Sequence, residues 1–222
     1  MKIIIAFISA TLLLSSCKKE MNEVSVPFSE ARYIITITGK WTSPAFTVPP
    51  GAHYTTFIGM VHNGNAGLWK EGTKASYGTE VLAETGQGAP ILAEIDSTIN
   101  TGNGLALILF VSPTTIGSSN VNIYCNSNYS KISFESMLGP TPDWFVGVSG
   151  MELYNNKQWV ADTTINLYAY DAGTEEGDVF GYANPATVPQ QDIHVLQAGQ
   201  AMVLANGNAT LGPIATARFR RQ

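Results

Sequence analysis

The sequence predicts an all-β fold, an antiparallel β-sandwich of about eight strands with one or two short helices. Three observations carry that expectation. Short segments rich in β-branched and aromatic residues recur along the chain, Gly, Pro, Asn and Ser separate them, and 21 Gly and 11 Pro supply the breaks. At 222 residues the chain suits one sizeable domain.

The strands are read in order. Tyr33-Ile34-Ile35-Thr36-Ile37-Thr38 comes first, then Tyr54 to Ile58, Leu105 to Val111, Val121 to Tyr124 and Lys131 to Ser136. Trp144 to Val148, Thr163 to Tyr168, Ala201 to Ala205 and Ala215 to Phe219 complete the set. Only one stretch reads as helix: Ala75 to Gly86 and, after a Gly-rich break, Pro90 to Ile95, where Pro90 suits a first turn. Ile91, Leu92 and Ile95 share one helical face, so this is a helical excursion between strands. No internal repeat or composition shift divides the chain.

Composition excludes several classes. With 45% hydrophobic and 13% charged residues, burial can offset the ordering entropy, so the chain is not a disordered tail. A net charge of -5 argues against a nucleic-acid partner, which wants a basic face. Beyond the N-terminus no apolar run is long enough to span a membrane.

Residues 1–16 have the pattern of a secretory signal: Lys2, an apolar stretch, then Leu14-Ser15-Ser16-Cys17. This last segment resembles the bacterial lipobox, in which small residues admit the peptidase and the cysteine thiol takes the lipid. Cys17 is therefore the expected lipid attachment site, 17–30 a polar tether and 31–222 the sandwich domain. Acyl chains at roughly 0.8 kcal/mol per buried methylene hold such a protein at the bacterial cell envelope, on the outer membrane or cell surface, without a spanning helix. Acylated Cys17 leaves Cys125 with no disulfide partner.

Two polar constellations stand out. Asp171-Ala172-Gly173-Thr174-Glu175-Glu176-Gly177-Asp178 places four carboxylates in one glycine-bearing loop. Hard cations such as Ca²⁺ take several oxygens, which such a loop can supply from side chains and backbone; the bland alternative is a solvated acidic turn. In Gly139-Pro140-Thr141-Pro142-Asp143-Trp144-Phe145-Val146-Gly147, Asp143 stands at the edge of an apolar strand. Either it caps its own turn or it faces a cation or a basic side chain.

Catalytic signatures are missing. Gly147-Val148-Ser149-Gly150 lacks the spacing of a nucleophile elbow, and His53, His62 and His194 have no two-histidine zinc spacing. His62 is read as a half-buried strand-end residue and Cys125 as a small core or near-surface residue. Trp41, Trp69, Trp144 and Trp159 sit among apolar neighbours and are assigned to the core rather than to a sugar-stacking platform.

Taken together, several stretches resemble the N-terminal domain of spondins, from Arg32 to Gln222. They are Tyr33 to Trp41, Phe57 to Asn63 with Leu68-Trp69, and Ala83-Glu84-Thr85-Gly86. The most specific are Pro140 to Gly147 and Leu167-Tyr168-Ala169-Tyr170-Asp171-Ala172-Gly173-Thr174. The resemblance implies a sandwich similar to calcium-dependent membrane-binding domains, a Ca²⁺ site, and adhesion or surface binding rather than catalysis. Carried over by residue, the family's calcium aspartates fall on Asp143 and Asp171. A third family ligand, a glutamate on the strand before the Pro-Asp-Trp motif, falls near Tyr124, with Asn122 or Asn126 as neutral substitutes.

The expected function is thus a membrane-anchored, calcium-binding adhesion or binding module outside the cytoplasm, contacting a protein or glycan. The alternatives are a metal-dependent hydrolase built on Asp143, Asp171 and Glu175, and a purely structural envelope lipoprotein. Oxygen-only calcium sites are more often structural, which disfavours the hydrolase.

Overall fold

The computed structural model describes residues 28–199 and 202–222. The expected signal segment, Cys17 and nearly all of the tether lie outside the described residues.

The first strand, β1 (Glu30–Gly39), alternates strictly: Tyr33, Ile35 and Ile37 are fully buried, while Arg32, Ile34, Thr36 and Thr38 turn outward. It pairs antiparallel with β5 (Ser118–Asn126) on one side and β13 (Ala215–Arg221) on the other, and β13 pairs with β10 (Asp162–Leu167). These four strands form the smaller sheet, in the order β10-β13-β1-β5.

The larger sheet runs β12-β11-β7-β6-β3-β4. Its members are β3 (Phe57–His62), β4 (Gly104–Phe110), β6 (Lys131–Gly139), β7 (Trp144–Glu152), β11 (Ala169–Asp171) and β12 (His194–Val195). The two-residue β2 (His53–Tyr54) adds to β6, and β8 (Tyr154–Asn155) pairs with β9 (Gln158–Trp159) as a separate hairpin. Between the sheets lies an aromatic core in which Phe57, Phe110 and Phe134 meet edge-on at 5.4–6.1 Å between ring centres.

The other face of the larger sheet is covered by α1 (Tyr77–Thr85) and α2 (Ala89–Asn100). Ile58, Met60 and Phe145 pack there with Leu82, Ala83, Ile91 and Ile95. Coverage on both faces explains why β3 and β6 are buried along nearly their whole length, whereas β1 alternates. Ser76 caps α1 by accepting the Thr79 N–H, and Gly86 closes it in the left-handed conformation. The longer α2 carries Pro90 in its first turn and continues five residues beyond the expected Ile95.

Three expectations need correction. Of the expected strand Ala201 to Ala205, residues 202–205 are instead helical: α3 (Met202–Ala205) is a single turn, rich in helix formers apart from Val203 and ended by Asn206 and Gly207, both at positive φ. The segment from Tyr54 to Ile58 is broken at Thr55 and Thr56, where the Thr55 hydroxyl accepts the Met137 N–H at 3.0 Å. The run from Thr163 to Tyr168 divides at Tyr168, where the chain leaves the smaller sheet for the larger. Among the described residues no helix is long and apolar enough to cross a membrane.

Candidate functional site

Asp143 immediately precedes β7, and Asp171 ends β11. The register pairs Asp171 with Trp144, and the Ala172 N–H donates to the Asp143 carbonyl at 3.2 Å, so the two aspartates lie side by side at one end of the larger sheet. The topology thus brings together residues 28 positions apart in sequence.

The Asp143 side chain is fully buried. Its Oδ2 accepts the backbone N–H of Thr174 at 2.7 Å, that of Glu175 at 3.0 Å and the Thr174 hydroxyl at 3.2 Å. Its Oδ1 has no partner. Burial raises the Asp143 pKa, and the donors from Thr174 and Glu175 oppose that rise. A buried carboxylate with one saturated and one orphaned oxygen is costly unless something fills the second position.

Asp171 accepts the Gly173 N–H at 2.7 Å. Gly173 has φ +74°, and a Cβ there would come within 2.5 Å of the Gln191 carbonyl oxygen, so only glycine fits this turn. Burial, then the negative charge of Asp143, raise the Asp171 pKa to about 6; the Gly173 N–H and His194 pull the other way. Trp144 offers its buried indole N–H toward Asp171 without closing a hydrogen bond of ordinary geometry.

Two more carboxylates approach. Glu175 accepts from Asn184 at 3.1 Å, and burial with the charges of Glu84 and Asp143 raises its pKa. Glu84, on the last turn of α1, is also raised by burial, with Glu80 and Asp143 adding to the rise and Thr174 opposing it. The loop is held by a second segment: Thr187 N–H donates to Thr174 O at 2.8 Å, Gln191 N–H to Gly173 O at 2.8 Å, and Glu176 N–H to Pro185 O at 2.7 Å.

Of the four loop acids, Asp171 and Glu175 belong to this end of the sheet, whereas Glu176 and Asp178 are exposed, as a solvated turn predicts. Among the described residues no three His, Cys, Asp or Glu side chains form a ready metal cage. The donor set nevertheless fits a hard cation, because Asp143 Oδ1 is orphaned, Asp171 is adjacent and calcium draws much of its shell from backbone and water oxygens. Asp143 and Asp171 would hold such an ion, which would neutralise their mutual repulsion.

The expected third position is not here. Tyr124, Asn122 and Asn126 lie on β5, in the opposite sheet, where Tyr124 donates to Glu30, Asn122 accepts from Gln222 and Asn126 accepts from Asn128 and Tyr129. The strand directly before the Pro-Asp-Trp motif is β6, and its glutamate is Glu135. That residue is fully buried under α1, neither of its oxygens has a hydrogen bond of ordinary geometry among the described residues, and burial raises its pKa to about 8 against the opposing pull of the Thr79 hydroxyl.

The histidines are also placed. His194 pairs with Asp171 across β11 and β12, a neighbour that sequence spacing did not reveal. His62 is more buried than expected at 1% exposure, with its ring nitrogens on Ser133 and the Asn63 carbonyl. Cys125, Trp41, Trp69 and Trp144 are core residues, and Trp159 is half-buried. Glu84, Thr174 and Glu135 went unrecognised as site or near-site residues. Glu84 stands in the Ala83-Glu84-Thr85-Gly86 stretch and Thr174 in the acidic loop that follows Tyr170, whereas Glu135 carries no site signal in the sequence.

Comparison with known proteins bears on the family of the chain. The Spondin_N family model matches residues 31–205. Spondin-2 of Rattus norvegicus is 29% identical over 203 residues, covering 86% of this chain and 62% of its own. Spondin-2 of Homo sapiens is 31% identical over 173 residues, or 73% of this chain and 51% of its own. Spondin-1 of Gallus gallus is 31% identical over 175 residues, 75% of this chain but 22% of the relative. The chain therefore spans less than two thirds of each of these relatives. With the family model matched over most of its length, on a β-sandwich that sets Asp143 beside Asp171, this chain belongs to the Spondin_N family.

Proposed function

We propose that the protein is a calcium-binding adhesion or binding module outside the cytoplasm, tethered to the bacterial cell envelope through lipid on Cys17, whose acidic-end loops contact a protein or glycan. The observation that carries this reading is the buried Asp143 with its orphaned Oδ1 beside Asp171. A divalent cation there ties the 171–178 loop to the start of β7 and so presents fixed loops to a partner. Family membership supports a binding role, and the anchor rests on Leu14-Ser15-Ser16-Cys17. Among the described residues no nucleophile–base pair joins the site, and no turnover is expected of this reading.

The test immobilises the lipid-free protein on a glycan array and in an extracellular-protein pull-down, with calcium and with chelator. Expected is a ligand retained in calcium, lost in chelator and lost with Asp171→Asn. Hydrolysis of a standard ester, glycoside or phosphate substrate that Asp171→Asn abolishes would contradict the reading. Anchoring is tested separately: Cys17→Ser is expected to move the protein from the detergent phase to the soluble fraction, and unchanged partitioning would reject the lipid.

A further inference from the structure

All four arginines of the chain, Arg32, Arg218, Arg220 and Arg221, lie on the paired strands β1 and β13, and all are exposed. Arg220 stands opposite Ile34, and Arg32 lies two residues further along β1 on the same outward face. Such diagonal neighbours lie roughly 7–8 Å apart. Arg221, opposite Tyr33, adds its charge at the same strand end. Arg218 is held in a forked ion pair by Asp162, whereas Arg32, Arg220 and Arg221 make no salt bridge among the described residues.

Arg32 and Arg221 line a shallow groove of about 550 Å³ with Tyr124, Gln222 and Glu30, and the Glu30 carboxylate accepts the Tyr124 hydroxyl. In a chain of net charge -5, gathering every arginine at one place is an arrangement that like-charge repulsion opposes unless an anion faces it.

Position narrows the choice of anion. The arginines sit where the chain enters the fold, because β1 begins at Glu30, 13 positions after Cys17. They also sit away from the acidic end. Strand β10 starts with Asp162 paired to Arg220, and the same run continues through β11 to Asp171, nine residues or at most roughly 30 Å further on. The protein is thus charge-polarised along its strands, with the positive end where the chain enters the described fold. The outward face around these arginines is mostly polar, with Thr36, Thr38, Asn120 and Asn122; Ile34 and Tyr124 are half-buried on it and Phe28 is exposed at the strand end, so most of this face offers charge and hydrogen bonds rather than apolar surface.

We propose that Arg32, Arg220 and Arg221 form a docking face for anionic lipid headgroups, which seats the domain on its membrane with the Asp143–Asp171 end turned outward. Its biological setting rests on the lipid anchor of the proposed function; its chemistry does not. Arginine forks bind phosphate oxygens bidentately, and a contact without inserted apolar residues is superficial and salt-sensitive. A tether supplies the high local concentration that three charges alone would not.

The test uses the mature chain, residues 17–222 carrying Cys17→Ser, so that no acyl chain contributes. It is sedimented at low ionic strength with vesicles of mixed phosphatidylglycerol and phosphatidylcholine and with vesicles of phosphatidylcholine alone. Expected is binding to the mixed vesicles only, lost at high salt and indifferent to millimolar inorganic phosphate. Each of Arg32→Gln, Arg220→Gln and Arg221→Gln should lower the partition coefficient about fivefold, and the triple variant roughly a hundredfold. The exposed positions leave the core untouched, and an unchanged melting temperature confirms folding. Equal binding by the triple variant, equal binding to neutral vesicles or full competition by free phosphate would overturn the proposal. So would binding that needs calcium and survives the triple substitution, since it would place the membrane contact at the acidic end. Because acylation is absent throughout, failure here is separate from failure of the Cys17 anchor.

Discussion

The two ends of the sandwich handle charge in opposite ways. At the acidic end Asp143 is buried, Asp171 is largely buried, and the backbone is folded around them: Thr174 and Glu175 donate to one, Gly173 to the other. At the arginine end the charges are exposed and, apart from Arg218 with Asp162, the arginines make no ion pair among the described residues. Burial makes the first end a built site, selective and coupled to folding stability. Exposure makes the second a field, tuned by salt and nearly neutral for stability.

The largest expected effect breaks the acidic end. Asp143→Ala strands the Thr174 and Glu175 N–H groups in a buried site and should destabilise the fold by about 2–3 kcal/mol in urea unfolding. Asp143→Asn keeps an acceptor oxygen, so in chelator at pH 8 it should be as stable as wild type or more so, while losing any calcium increment.

The pH dependence has a definite sign. The folded pKa of Asp171, about 6, lies above its ordinary value near 4, so folding favours the protonated form. In chelator, stability should be greatest below about pH 4 as far as this group is concerned. It should fall as pH rises to just above 6, by about 2–3 kcal/mol. Asp171→Asn should flatten that segment of the stability profile.

A smaller effect distinguishes Glu135 from the site. Its pKa of about 8 makes it a neutral acid at pH 7, held beneath α1 near Thr79. Relative to wild type, Glu135→Gln should therefore gain about 2 kcal/mol between pH 6 and pH 8, where the unfolded carboxyl is already ionised and the buried one is not, and little more by pH 9. Smallest is the arginine end, where Asp162→Asn, which frees Arg218, should leave the melting temperature within experimental error.

Much of the fold was legible because hydrophobic pattern and turn residues are local. Alternation gives β1 outright, and Pro90 with Gly86 places the helical pair. Strands such as β6 are covered on both faces and show no alternation, so their partners could not be read from the pattern. The short β12 and the α3 turn depend on contacts made after folding. At the site, Asp143 and Asp171 were visible from their motifs, and the topology then set them side by side. Glu84 and Thr174 stand in the motif stretches too, but their approach to Asp143 was not legible, because it depends on the docking of α1 and the 184–194 segment. The count toward Tyr124 reaches back one strand too far, to β5, whereas the strand directly before the motif, and the one that pairs with β7, is β6.

Calcium-dependent stability of the wild-type protein tests the central claim most directly. An ion that binds only the folded state stabilises it by RT ln(1 + [L]/Kd), about 2.7 kcal/mol at a hundredfold excess over Kd. The melting temperature at pH 7.5, read in chelator and in several millimolar calcium, should rise by several degrees with calcium, less with magnesium, and not at all in Asp143→Asn or Asp171→Asn. Superimposable wild-type curves in chelator and in calcium would mean that Asp143 and Asp171 hold no cation.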